Sequence, residues 1–285
     1  MRTFYNRAMF RLLMPLLSLC ALACTATMSG PQVTDFAPLS VAASDELSRQ
    51  IKTLSETVKV DAYEANVFVA PDGRSLPYRL LRPAANPTNH PRRLVVMFHG
   101  SGAIGTDNRS QVGALAKSWA TDDVQRRFGA YVLVPQFPTR SSNYKIGPDA
   151  LPYSEGTELL GTAAALVQHI RATEQIPPEN TYAIGFSMGG SAIWNVLRDH
   201  PGLFARAAIV GGVPPADAAR VAGRTPLLLV HGDADTENPF AAAWNVFLNA
   251  HGPLEFWRFR GLEHDFPPEL ITTDRLREWL FTERR

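Results

Sequence analysis

Apolar residues fall along this chain in two kinds of run that alternate. Short, nearly continuous apolar runs occur at 94–98 (Leu-Val-Val-Met-Phe), 131–135, 181–185, 207–210, 226–230 and 254–259. Runs of this length, rich in β-branched and aromatic residues, predict strands buried on both faces. Between them, apolar positions recur three and four apart at 112–119, 158–173, 190–198, near Asp217, at 241–249 and at 273–281, and that spacing predicts helices. Regular strand–helix alternation calls for right-handed crossovers. It predicts an α/β fold with a mostly parallel central sheet and helices on both faces. Two more strands, 66–70 and 76–81, flank Pro71-Asp72-Gly73-Arg74, whose turn chemistry predicts a β-hairpin. This hairpin would form an antiparallel N-terminal edge of the sheet.

The pattern is weaker before residue 61. Residues 27–60 are polar and Ala/Ser-rich and read as an N-terminal extension with one short helix at 45–57, ahead of a folded domain at 61–285. Arg2, Arg7 and Arg11 precede an apolar run at 12–23 that is too short to span a bilayer comfortably. Small residues follow at Ala21, Ala23 and Ala26, so residues 1–26 read as a signal peptide and the chain as exported, periplasmic or extracellular. A cut after Ala23 would instead leave a lipoprotein leader at 1–23, with Cys24 first and membrane attachment through a lipid on it. Ala21 departs from that pattern, because a larger aliphatic residue is usual there. Cys20 and Cys24 are the two cysteines, so the domain beyond them forms no disulfide.

The 285 residues are 45% hydrophobic, which is ample for the core of one large α/β domain. A formal net charge of +1 gives no electrostatic reason for a nucleic-acid partner. The chain carries no internal repeat.

The most informative local feature is Gly185-Phe186-Ser187-Met188-Gly189, set between a predicted strand and a predicted helix. A strand, a sharp turn and a helix around G-x-S-x-G form an elbow that presents a serine as nucleophile. The two glycines let neighbouring elements approach, and the helix N-terminus favours negative charge on whatever reacts there. The same motif without partners would be only a glycine-rich turn. A nucleophilic serine needs a base, and a carboxylate to hold that base, in the chain order Ser, acid, His. His264, in Gly261-Leu262-Glu263-His264-Asp265 after the last predicted strand, stands where a base must reach back over the sheet. His200 and His251 fall at helix ends, and His231 ends the strand before the acid loop, where it packs and shapes the turn. The acid comes from His231-Gly232-Asp233-Ala234-Asp235-Thr236-Glu237. Asp235 is favoured there over Asp233 and Glu237, which cap the turn and the next helix.

Two backbone N–H groups would complete an oxyanion hole. One belongs to Met188; the other to Ser101, with Gly102 next, in His99-Gly100-Ser101-Gly102-Ala103-Ile104. Glycine at 100 and 102 lets a substrate approach the backbone, so Gly102 is also a candidate contact. The insertion at 136–155 carries Phe137, Tyr144 and Tyr153. Phe137 and Tyr144 are candidates for one wall of a substrate pocket; the alternative is a loop packed on its own aromatics.

The segment Leu-Val-Val-Met-Phe-His-Gly-Ser-Gly-Ala-Ile-Gly-Thr-Asp-Asn at 94–108, then Gly-Phe-Ser-Met-Gly-Gly, His-Gly-Asp-Ala-Asp and Gly-Leu-Glu-His-Asp, occur in that order. Together they resemble the α/β-hydrolase superfamily. Within it they are similar to secreted serine esterases of the phospholipase/carboxylesterase, polyhydroxybutyrate-depolymerase and feruloyl-esterase groups. The resemblance covers residue 76 to the C-terminus. Related sequences often carry a Glu-Arg pair where this chain has Ala103-Ile104. The resemblance implies a catalytic domain that hydrolyses a small-molecule or polymeric ester through an acyl-enzyme, with no metal and no organic cofactor. A peptidase using the same site, or an exported binding protein without catalysis, are the alternatives.

Overall fold

The computed structural model describes residues 31–83 and 91–282; the leader, Cys20 and Cys24 lie outside the described residues. The chain begins with strand β1 (Gln32–Phe36) and helix α1 (Val41–Thr57), whose first turn is capped by the Ser40 hydroxyl accepting from the Ala43 amide. The hairpin strands β2 (Glu64–Val69) and β3 (Ser75–Leu81) follow. Their turn closes through Gly73 at φ 86, a conformation that glycine adopts without steric cost. Then come β4 (Arg93–Phe98), α2 (Ala114–Trp119), α3 (Asp122–Phe128) and β5 (Ala130–Pro135). The insertion forms a small separate hairpin, β6 (Ser142–Ile146) and β7 (Pro152–Gly156). The alternation resumes with α4 (Leu159–Thr173), β8 (Thr181–Phe186), α5 (Met188–Asp199), β9 (Arg206–Val210), α6 (Ala218–Ala222) and β10 (Leu227–Gly232). It ends with α7 (Phe240–Asn249), β11 (Leu254–Phe259), α8 (Glu269–Thr272) and α9 (Arg275–Phe281).

Nine strands make one sheet in the order β1-β11-β10-β9-β8-β4-β5-β3-β2. Pairing is parallel from β1 to β5 in that order and antiparallel between β5 and β3 and between β3 and β2. The sheet is mostly parallel with an antiparallel edge, as the apolar pattern predicts. Because side chains alternate along a strand, β4 feeds two cores at once. Leu94, Val96 and Phe98 pack on one face with Ile193 and Trp194 of α5 and Leu166 of α4. Val95 and Met97 pack on the other with Trp119 of α2 and Trp279 of α9. Among the described residues no helix is long and apolar enough to cross a membrane.

Three elements depart from the sequence expectation. Residues 27–60, read as an extension, supply in their described part a strand that joins the main sheet and a helix that packs against α2 and α8. The insertion is a hairpin lying against α5 rather than an irregular loop. Helix α3 is an additional element, capped by Thr121 at its start and by Gly129 in the left-handed region at its end.

All the parallel strands run the same way, so their carboxyl ends share one rim. β4 delivers His99 and Gly100 there, β8 delivers Ser187, and β9 delivers Gly211. The turn after β10 and the loop after β11 meet at the same rim, where Asp233 accepts from the Gly261 amide at 2.6 Å. Ligands of open α/β sheets bind at this end.

Candidate active site

The turn after β8 is tight because its neighbours leave no room for side chains. A β-carbon on Gly185 would lie 2.3 Å from the Gly189 carbonyl oxygen. Ser187 sits at φ 54 and ψ −119, a conformation that side-chain-bearing residues rarely adopt. It is held there from both sides: its amide donates to the Val210 carbonyl at 2.8 Å, and its carbonyl accepts the first helical bond, from Ser191, at 3.0 Å. The hydroxyl is thereby lifted out of the turn toward the rim.

Three side chains from three segments meet there. His264 Nε2 lies 2.8 Å from Ser187 Oγ, and His264 Nδ1 lies 2.7 Å from Asp235 Oδ2. Asp235, with 2% of its side chain exposed, is the best-satisfied group in the site. Its Oδ1 accepts the amides of Glu237 (3.0 Å) and Asn238 (2.9 Å), while its Oδ2 faces both His264 and His231 Nε2, the latter at 3.1 Å. Burial works to raise the Asp235 carboxyl, but hydrogen bonds from His231, His264 and the Asn238 amide outweigh it and hold the pKa at about 2. The imidazole of His264 stacks on Phe186, with ring centroids 5.2 Å apart. Beneath the ring runs Gly211, at φ 56, where an added β-carbon would come within 3.5 Å of His264 Cε1. The row Asp235–His264–Ser187 can therefore move a proton off the serine while a fixed negative charge stabilises the resulting imidazolium.

Asp233 and Glu237 are exposed. Asp233 latches the acid turn to the base loop through the Gly261 amide rather than capping the next helix.

Two amides stand beside Ser187. Met188 opens α5, so its N–H has no carbonyl one turn earlier to bind. Ser101 opens the short 3₁₀ turn Ser101–Ala103, whose own bonds run from Ala103 and Ile104 and leave the Ser101 N–H outside them. That turn lies over the nucleophile: a β-carbon on Gly100 would be 3.6 Å from Ser187 Cβ and 3.2 Å from Phe186 Cδ1. His99 fixes the turn, because its Nδ1–H donates to the Gly100 carbonyl at 2.8 Å and its Nε2 accepts from the Phe137 amide at 2.9 Å. Burial pushes the His99 pKa below the usual histidine range, which keeps the ring in the neutral form this pair of bonds requires.

The substrate-wall candidates fare differently. Gly102 is exposed and borders a cavity of about 380 Å³ floored by Met97, Ile184 and Phe266. Phe137 is a correction. It is 0% exposed, packed between Phe98 (5.7 Å) and His99 (5.5 Å), so its ring belongs to the core and its amide to the His99 bond. Tyr144 is half-buried on β6, with Arg140 above its ring and its hydroxyl 3.1 Å from Ser191 Oγ, one helical turn beyond the nucleophile. Among the described residues no group of three or more His, Cys, Asp or Glu side chains is arranged to hold a metal ion.

Sequence reading assigned His231 to packing and did not single out Asn238. The available signal was the His231–Asp235 spacing, four residues apart across a strand end, which returns the acid to the histidine.

The described architecture matches the crystal structure of a thermostable esterase with a TM-score of 0.68, at 24% identity, over 78% of this chain and 63% of that one. This is an α/β-hydrolase fold. The crystal structure of a puromycin hydrolase shares the same α/β-hydrolase fold at lower similarity, with a TM-score of 0.55 and 17% identity over 73% of this chain and 37% of that one. Among relatives by sequence, this chain is 27% identical over 230 residues to NocK of Nocardia uniformis subsp. tsuyamanensis, named as an esterase, covering 79% of this chain and 64% of NocK. It is 26% identical over 199 residues to feruloyl esterase B of Thermothelomyces thermophilus, covering 67% of this chain and 65% of that enzyme. The chain thus spans just under two thirds of the length of either relative. No family model matches it.

Proposed function

We propose that this chain is a serine hydrolase that cleaves carboxylic esters through an acyl-enzyme, with Ser187 as nucleophile, His264 as base and Asp235 as the acid that orients it. The observation that carries this reading is the unbroken row from Asp235 Oδ2 through His264 to Ser187 Oγ, with bonds of 2.7 and 2.8 Å, at the tip of a strained elbow.

In this reading His264 Nε2 takes the hydroxyl proton as Ser187 Oγ attacks the ester carbonyl, and the carbonyl oxygen becomes an oxyanion held by the N–H groups of Met188 and Ser101. His264 then returns the proton to the departing alcohol, and a water activated by the same imidazole releases the acid. The names of the relatives, esterase and feruloyl esterase, support the ester bond as target. The basic and apolar order of residues 2–23 supports an exported protein.

The test is covalent labelling by a fluorophosphonate probe together with turnover of chromogenic short-chain esters and chromogenic peptides. Labelling at Ser187 with ester but not peptide turnover is the expected result. An unlabelled, inactive protein would reject the hydrolase, and peptide turnover in place of ester turnover would make it a peptidase.

A further inference from the structure

The acid of the site carries a second histidine. His231, next to last in β10, has 3% of its side chain exposed, and its Nε2 lies 3.1 Å from Asp235 Oδ2 and 2.8 Å from the Asn238 carbonyl oxygen. A nitrogen facing two oxygen acceptors must bear a hydrogen, since a bare lone pair would be repelled by both. His231 therefore donates, and Asp235 Oδ2 receives two imidazole N–H groups while Oδ1 receives two backbone amides.

We propose that His231 is a positioning residue for the Ser187–His264–Asp235 row, its Nε2–H fixing the rotation of the Asp235 carboxylate and dispersing its charge. The inference rests on the serine-hydrolase reading of the site. Two connections support it. The first is mechanical: His231 bridges Asp235 to Asn238, and the Asn238 side chain donates to the Gly211 carbonyl at 2.6 Å, directly under the His264 ring. One donor thus ties the acid and the floor beneath the base into a single unit. The second is electrostatic: a carboxylate that shares its charge with an extra donor holds the imidazolium proton less tightly, which eases return of that proton to the leaving group. The other charged groups around this unit are poorly placed to substitute. Asp233 and Glu237 on the acid turn, and Glu263 and Asp265 on the base loop, are exposed. Arg258, opposite His231 on β11, is paired with Asp35. From α7 the neighbour is the edge of Phe240, which is not titratable.

The experiment compares His231→Met, which fills space and donates nothing, with His231→Gln, whose amide N–H reaches about as far as Nε2. Each is assayed for kcat and KM on a chromogenic short-chain ester across pH, with a thermal melt and fluorophosphonate labelling alongside. His231→Met is expected to lose about 10- to 100-fold in kcat, the effect of removing one hydrogen bond to a charged group, with KM within about twofold. Its acid limb in kcat/KM should move up by about half to one pH unit, because the less neutralised carboxylate keeps His264 protonated longer. His231→Gln should recover most of the loss and leave the limb in place. If the methionine variant does not fold, His231→Asn replaces it, since its amide falls one bond short of Asp235. An unmoved acid limb in the variant lacking the donor, or a glutamine variant no better than the donor-free one, would reduce His231 to packing. Failure of the hydrolase reading would appear separately, as a wild-type protein that the probe does not label.

Discussion

A β-carbon on Gly189 would lie 2.1 Å from the carbonyl oxygen of Phe98. Helix α5 therefore starts in direct backbone contact with the last residue of β4, and the turn that follows β4 lies alongside Ser187, where a β-carbon on Gly100 would be 3.6 Å from Ser187 Cβ. Gly189→Ala and Gly185→Ala should each destabilise by about 3 kcal/mol or more, because the clashing atoms are backbone and cannot rotate away. Gly102 has open space around its α-carbon and an ordinary φ, so Gly102→Ala should leave stability unchanged or raise it by about 0.4–1 kcal/mol. Urea melts of the three variants check this, and a Gly189→Ala protein within about 1 kcal/mol of wild type would contradict the contact.

Removing the nucleophile should separate chemistry from folding. Ser187→Ala is expected to keep its melting temperature and lose kcat by about 10⁴- to 10⁶-fold, together with all fluorophosphonate labelling. Near-wild-type turnover in this variant would mean that the reaction runs elsewhere.

The three carboxylates after β10 should divide cleanly. Asp235→Asn keeps the shape but spoils the acceptor for His264 Nδ1–H, so kcat should fall by about 10²- to 10⁴-fold. Asp233→Asn weakens the latch to Gly261 and should cost about 1 kcal/mol of stability with little change in kcat. Glu237, exposed and contributing its backbone amide to Asp235, should tolerate glutamine in both assays. A dead Asp233→Asn beside an active Asp235→Asn would move the acid to position 233.

Acid should undo the site in two separate windows. The Asp235 carboxyl is held at about 2, below its ordinary value of 3.8, so the folded state is favoured while the group is ionised. That contribution is complete above the ordinary value and disappears as pH falls through about 2. The stability gap between wild type and Asp235→Asn should shrink across this interval in equilibrium unfolding. A gap that stays constant would mean the carboxylate is not stabilised by its donors.

His99 should act at milder pH. Burial lowers its pKa from 6.5, so below that value the unfolded chain binds a proton that the folded ring refuses, and stability is lost as the solution is acidified. The Phe137 amide, which donates to His99 Nε2, should then lose protection, measured against its intrinsic exchange rate, progressively below about pH 6.5. Protection of that amide unchanged down to about pH 4.5 would show that the bond survives protonation, against this assignment.

What could be read in the sequence was set by burial. Strands β4, β5, β8 and β10 announce themselves because both of their faces are covered and nearly every position is apolar. Strand β1 hides because it is an edge: Gln32-Val-Thr-Asp-Phe has almost no buried side chain, and its pairing depends on β11, more than two hundred positions away. The hairpin β6–β7 hides for a related reason, since its polar strands pair only with each other and lean on α5. Ser187, Asp235 and His264 were distinguishable because each follows a legible strand. The contact of His231 with Asp235 left only its four-residue spacing as a signal, and the burial of Phe137 between Phe98 and His99 left none, because both depend on how loops fold back after leaving the sheet.

The parallel pairing of β1 with β11 also orders events during folding. Asp35 meets Arg258 at 2.6 Å and Phe36 stacks on Phe259 at 4.3 Å, so the first described strand has no partner until β11, more than two hundred residues later, exists. Pairs so distant in sequence close late, because the loop entropy is lost before any contact compensates for it. His264 leaves the sheet five residues after Phe259, on the loop whose Arg260 amide donates to the Phe36 carbonyl at 3.0 Å. A nascent chain emerging from a ribosome can therefore build the elbow and Ser187 well before it can supply the imidazole. In the proposed reading, proton-transfer competence arrives only once the loop after β11 has been made, when the two ends of the described chain are joined in one sheet.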